Sequence, residues 1–134
     1  MQLLYGPTKR IVDYTHSRGA LFTIHSCGKV ESLIPRMLEM GIDSWESAQM
    51  AINDLPALKR TYAGKLNIET ILIDPILNDP DAAEEDVRRF VRETILSLGE
   101  GGDLAFMYLG GCHPNHMWTL YDEYYRVSVE LYGA

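Results

Sequence analysis

Short apolar runs alternate along this chain with stretches whose apolar positions recur every three to four residues. These two periods predict strands and helices in turn. Thr8 to Arg18 reads as a helix with Ile11, Val12 and Thr15 toward the core, stopped at Gly19, as glycine does by taking a left-handed conformation past a helix end. Ala20 to Ile24 is a short apolar strand that runs into His25-Ser26-Cys27-Gly28. Val30, Leu33, Ile34, Met37 and Leu38 have helical spacing ahead of Gly41, and Pro35 places the regular start near Ser32, because proline fits only at a helix start. Ile42 to Glu46 is the second strand. Asn53 or Asp54 can cap a helix through Leu55, Leu58 and Tyr62 to Gly64, and Leu66 to Ile73 is the third strand. Asp81 followed by Glu84 has the form of a capping box, after which Val87, Phe90, Val91, Thr94, Ile95 and Leu98 share one face up to Gly99, Gly101 and Gly102. Leu104 to Leu109 is the fourth strand, ending in Gly110-Gly111-Cys112, and a tyrosine-rich helix covers Met117 to Tyr132.

Strands that alternate with helices imply parallel pairing, since a parallel connection must cross over the sheet. Four such strands fit a small open α/β sheet or half of a barrel, and the pattern alone does not choose. No linker, repeat or low-complexity tract divides residues 1–134, which read as a single domain. A net charge of −7 without a Lys/Arg cluster argues against nucleic acid or an anionic membrane as partner. No apolar run approaches the ~20 residues of a membrane span, and Met1-Gln2-Leu3-Leu4 does not have the shape of a signal peptide. With two cysteines only, a disulfide scaffold is not expected, and a cytoplasmic, reducing setting is.

The chemistry gathers at strand ends. His25 and Cys27 are two residues apart, so their side chains point to the same face and can reach one metal ion. Cys112 also follows an apolar strand, and in a parallel sheet all strand C-termini share one rim. His, Cys and Cys make a three-ligand zinc set with an open fourth position, the mark of a catalytic site. The competing reading is that the cysteines are small buried hydrophobes. Glu46, at the end of the second strand after Trp45, is a candidate ligand or general base, or else a solvated carboxylate. His113 and Trp45 are candidates for substrate binding, whereas His116 reads as a helix-start residue and His16 as a surface one. Gly99-Glu100-Gly101-Gly102 precedes a strand and lacks the Lys-Ser/Thr of a nucleotide loop, so it reads as a tight turn. Glu84-Glu85-Asp86 offsets a helix dipole, and the tyrosines of the last helix read as packing residues.

The stretch Gly19-Ala20-Leu21-Phe22-Thr23-Ile24-His25-Ser26-Cys27-Gly28-Lys29-Val30 resembles the uroporphyrinogen decarboxylase superfamily. So do Leu33-Ile34-Pro35, Gly41-Ile42-Asp43-Ser44-Trp45, Asn53-Asp54-Leu55 and Leu77-Asn78-Asp79-Pro80. Together these segments look like the C-terminal half of that family's (β/α)8 TIM barrel, with the N-terminal half absent. The His-x-Cys pair with a distant cysteine is similar to the corrinoid-linked methyltransferase branch, which includes methylcobamide:coenzyme M methyltransferases. The resemblance implies zinc held by His25, Cys27 and Cys112, and a methyl group passed between a corrinoid and a thiol or folate acceptor. It implies as partners a corrinoid protein or a small-molecule acceptor, and a homo-oligomer or pairing with an N-terminal half-barrel. Two other expectations stand beside it: a fragment of a uroporphyrinogen decarboxylase-type enzyme of porphyrin metabolism, and a non-catalytic half-barrel module. The chain departs from the family at Ile68-Glu69-Thr70-Ile71-Leu72-Ile73-Asp74, where a Gly-rich turn and an aspartate are usual.

Overall fold

The computed structural model describes residues 2–72, 74–107 and 112–133. It is an α/β protein whose four strands form one all-parallel sheet. In chain order the elements are α1 (Gln2–Ser17), β1 (Thr23–His25), α2 (Ile34–Met40), β2 (Ser44–Gln49), α3 (Leu55–Tyr62), β3 (Asn67–Ile71), α4 (Pro75–Asn78), α5 (Glu84–Gly99), β4 (Leu104–Met107) and α6 (Met117–Tyr132). Single 3-10 turns at Glu31–Leu33 and Pro114–His116 lead into α2 and α6. Strand order in the sheet follows the chain, β1-β2-β3-β4. Each crossover therefore steps to the next neighbour in the same direction, and the usual right-handed connection puts all the crossover helices on one face.

Side-chain alternation follows from that arrangement. Ile24, Trp45, Ile68 and Leu104 stand in register across the four strands and pack into a core with Val12, Ile34, Met37, Ile42, Leu55 and Leu98. The row one residue earlier, Thr23, Ser44 and Asn67, and the row one later, His25, Glu46 and Glu69, point to the other face. A parallel sheet covered on both sides normally has near-continuous apolar strands; here one face is polar. The carboxylate of Glu69 accepts from the Thr23 hydroxyl at 3.2 Å and from the Ser44 hydroxyl, and Asn67 donates to Ser44 Oγ at 2.8 Å. A second apolar cluster lies under α4, α5 and α6 and contains Leu72, Leu77, Val87, Val91, Ile95, Leu120 and Val127. Arg88 and Arg92 of α5 tie α6 down by reaching Glu123, at 3.3 and 3.1 Å.

Several expected boundaries move. α1 begins at Gln2, not Thr8. Pro7 removes one hydrogen bond, but the carbonyl that loses its donor belongs to Leu3 in the exposed first turn, where water can serve. Asp54, not Asn53, caps α3, accepting from Ala57 N–H at 3.0 Å. The capping box at Asp81 does not form. The residue before α5 is Ala83 and has no side-chain cap, while Asp81 N–H is spent on Asp79 Oδ1 at 3.0 Å in the preceding turn. α4, capped by Asp74 through Ile76 N–H at 3.0 Å, was not foreseen. β2 runs past Glu46 to Gln49 by way of a bulge at Ser47. Residues 73 and 108–111, within the expected third and fourth strands and the Gly110-Gly111 turn, lie outside the described residues. Among the described residues no helix is long and apolar enough to cross a membrane.

Candidate metal-binding rim

β1 ends on His25, and the chain turns away through Ser26-Cys27-Gly28 at the C-terminal edge of the sheet. The tail of β2 pins this turn. Ser26 N–H donates to the Glu46 carbonyl at 3.2 Å, and the Trp45 indole N–H donates to the Ser26 carbonyl at 2.9 Å. Gly28 N–H donates to Gln49 Oε1 at 3.1 Å. Asn53 is buried and takes up three more backbone groups. It accepts from Val30 N–H at 3.2 Å and donates to the Gly28 and Gln49 carbonyls, each at 3.0 Å. A turn tied at this many points has a fixed backbone without help from a ligand.

Those side chains are close together. Cys27 Sγ lies 3.4 Å from His25 Nε2. A zinc ion with Zn–N of about 2.0–2.1 Å and Zn–S of about 2.3 Å holds two such atoms about 3.5 Å apart at a tetrahedral angle. The pair therefore fits a shared metal with almost no rearrangement. On the opposite side of the ring, His25 Nδ1 is 3.4 Å from Ser47 Oγ and 3.6 Å from Glu46 Oε2. An open cleft of about 660 Å³ beside the turn is lined by Lys29, Glu31 and the Met50–Asp54 segment.

The third expected ligand is elsewhere. Cys112 is 9% exposed and packs in the apolar cluster of α4, α5 and α6, with its thiol donating to the His113 carbonyl at 3.5 Å. Burial pushes the Cys112 thiol up from its ordinary range, opposite to what a bare thiolate needs. Among the described residues, no three His, Cys, Asp or Glu side chains come close enough to hold one ion. The rim thus presents two of the three zinc ligands that the sequence suggests.

The remaining candidates take up places of their own. Trp45 is fully buried, so its ring belongs to the core and its N–H to the turn. His113 Nδ1 accepts from Asn115 N–H at 3.3 Å, capping the 3-10 turn before α6. His116 is buried and donates to the Asp79 carbonyl at 2.6 Å, a structural tie as its position suggested. His16, expected merely at the surface, holds Asp43 at 2.7 Å; Phe22 N–H donates to the same carboxylate oxygen, so the three join α1 to the start of β1. Ser47, Gln49 and Asn53 are the contributors to the rim that sequence reasoning missed. Gln49 and Asn53 look like loop residues in the sequence, and no residue pattern marks the bulge.

These features define a class: a parallel α/β protein with a His–Cys pair on the C-terminal rim of its sheet. Searches of family models, of curated proteins and of solved structures return no match to this chain.

Proposed function

We propose that this chain is a zinc-dependent, methyltransferase-like protein of the uroporphyrinogen decarboxylase superfamily, built as the C-terminal half of a (β/α)8 barrel. The observation that carries the proposal is the His25–Cys27 pair, at metal-sharing separation on the rim where barrel enzymes place their chemistry. Sequential strand order supports the barrel part. Bound zinc would supply an open coordination position that lowers the pKa of a thiol, giving the thiolate that accepts a methyl group from a corrinoid. With a folate as acceptor, a folate nitrogen would take the methyl group in place of the thiol. His25 and Cys27 would hold the ion. Glu46 lies on the Nδ1 side of the ring, opposite Cys27, so it would act as a base, and would become a ligand to the same ion only by moving its side chain. Cys112 joins them only by leaving its apolar cluster. A reducing, cytoplasmic setting would keep Cys27 a free thiol.

Partners follow from the same reading. Exposed apolar side chains gather on the first and last helices, Leu3, Leu4 and Tyr14 on α1 and Trp118 and Tyr125 on α6. These helices precede β1 and follow β4, the strands with an unpaired edge. A second copy or an N-terminal half-barrel would cover them.

The test is zinc per chain by elemental analysis after metal-replete purification, on the wild type and on Cys27→Ser. About one zinc in the wild type and a large loss in the variant support the proposal and lead to assays with methylcobalamin and thiols. No zinc in the wild type sinks it. The burial of Cys112 favours a second reading, a non-catalytic half-barrel module with an incomplete ligand set.

A further inference from the structure

We infer that Ser47 is a positioning residue for His25. The bulge in β2 turns its hydroxyl onto Nδ1, so that Nε2 is the ring atom presented beside Cys27. The inference rests on the metal reading of the rim and names the device that aims its imidazole.

Ser47 is the extra residue of the bulge, since Glu46 pairs with Glu69 and Ala48 with Thr70. In an unbroken strand the residue after Glu46 would face the helices, and Ala48 would take the polar face. The bulge changes this assignment. Ala48 and Thr70 sit together in the core, where the Thr70 hydroxyl donates to the Ala48 carbonyl at 2.7 Å, and Ser47 is released to turn toward His25. This requires φ of 67° at a serine that is 1% exposed inside a strand. The other described non-glycine residue with positive φ, Asp103, has an ordinary explanation. It closes a turn after Gly101-Gly102, with its carboxylate accepting from Gly64 N–H at 2.6 Å. Ser47 lies in no turn, and the contact its side chain gains is with the ring of a candidate ligand.

The ring contacts then select a tautomer. Ser47 Oγ at 3.4 Å and Glu46 Oε2 at 3.6 Å both lie at Nδ1, while Cys27 Sγ lies at Nε2. In the arrangement inferred, the Ser47 hydroxyl, which can donate or accept, accepts from a proton on Nδ1 and leaves the Nε2 lone pair free beside the thiol.

The test compares the wild-type chain with Ser47→Ala and Ser47→Gly. Both remove the hydroxyl. Alanine keeps the left-handed strain and glycine relieves it, so Ser47→Gly melts higher than Ser47→Ala. The first readout is the His25 tautomer in zinc-free protein, by nitrogen–proton correlation at a pH where the ring is neutral, with the signal assigned through His25→Gln. The second is zinc affinity by chelator competition. The wild type is expected to hold its proton on Nδ1. Both variants are expected to lose that preference and to bind zinc about tenfold or more weakly, the usual effect of removing an outer-shell partner. A wild-type proton on Nε2, an unchanged tautomer in both variants, or an affinity loss that follows melting temperature across them would each overturn the inference. Should the wild type take up no zinc, the metal reading fails, and the tautomer alone decides the role of Ser47.

Discussion

The two cysteines of this chain sit in opposite surroundings. Cys27 is exposed on a turn pinned by backbone and amide hydrogen bonds, with an imidazole nitrogen 3.4 Å from its sulfur. Cys112 is buried among Leu77, Val87, Val91 and Val127, and its thiol meets a backbone carbonyl. One thiol is exposed beside an imidazole and the other is packed among apolar side chains. The strand-end position they share in the sequence does not distinguish them. What does is the neighbouring segments: β2 brings polar groups up to Cys27, whereas α5 and α6 bring apolar ones up to Cys112.

The sharpest way to break this comparison is thiol reactivity. In the folded chain Cys27 should react with iodoacetamide on the order of a hundredfold faster than Cys112 or more, because a local opening of about 3 kcal/mol already slows a buried group by that factor. Peptide mapping by mass spectrometry over time measures both rates. Equal rates would mean that the α5–α6 layer is open and that Cys112 is free to join the rim. A second, smaller effect tests whether the regions are independent. Glu123 is 6% exposed and accepts from both Arg88 and Arg92. Glu123→Ala should cost about 2 kcal/mol in urea unfolding, since it strips the shared acceptor from two guanidinium groups. The His25 and Cys27 resonances should stay where they are, and their movement would show that the rim depends on the second cluster.

The sequence reveals the difference between the regions only in part. The apolar runs of the strands were readable, and they put His25 and Cys27 at the end of a strand, where β1 closes on His25. The helix period of Val87, Val91, Ile95 and Leu98 likewise gave the buried face of α5. Three features were not readable, each because a local rule competed with a tertiary one. The first helix reads as starting at Thr8, yet α1 runs back through Gly6-Pro7 because the lost bond falls in an exposed turn. Asp81 with Glu84 matches a capping box, yet Asp79 captures the Asp81 N–H first. Ile42 to Glu46 reads as a plain strand, whereas β2 runs on to Gln49 and its pairing with β3 shifts by one residue at Ser47, moving a hydroxyl onto the histidine. The closeness of His25 and Cys27 was therefore visible from spacing, but the neighbours of the ring were not. Nor was the packing of Cys112 with α4 visible, an element of four residues whose Leu77 is fully buried in the same cluster.

Single substitutions sharpen the contrast further. Cys112→Ala leaves a void in a packed cluster and should cost about 1–2 kcal/mol in urea unfolding. Cys27→Ala, on an exposed turn, should stay within about 0.5 kcal/mol of wild type. A reversal of that order would mean that the rim turn relies on its thiol and not on Asn53 and Gln49.

The smallest effect is in the alkaline limb of stability, and its sign follows from burial. Burial holds the Cys112 thiol neutral above its ordinary range, while in the unfolded chain it ionises near 8.5. Its contribution to stability is thus fully present below about pH 8.5 and is lost as pH rises toward and through the higher folded value, because only the unfolded state releases the proton in that window. Stability measured by urea unfolding from pH 7 to 10 should decline, and Cys112→Ala should remove part of the decline. An unchanged decline in Cys112→Ala would mean that burial does not hold this thiol neutral, and that the α5–α6 layer admits water to it.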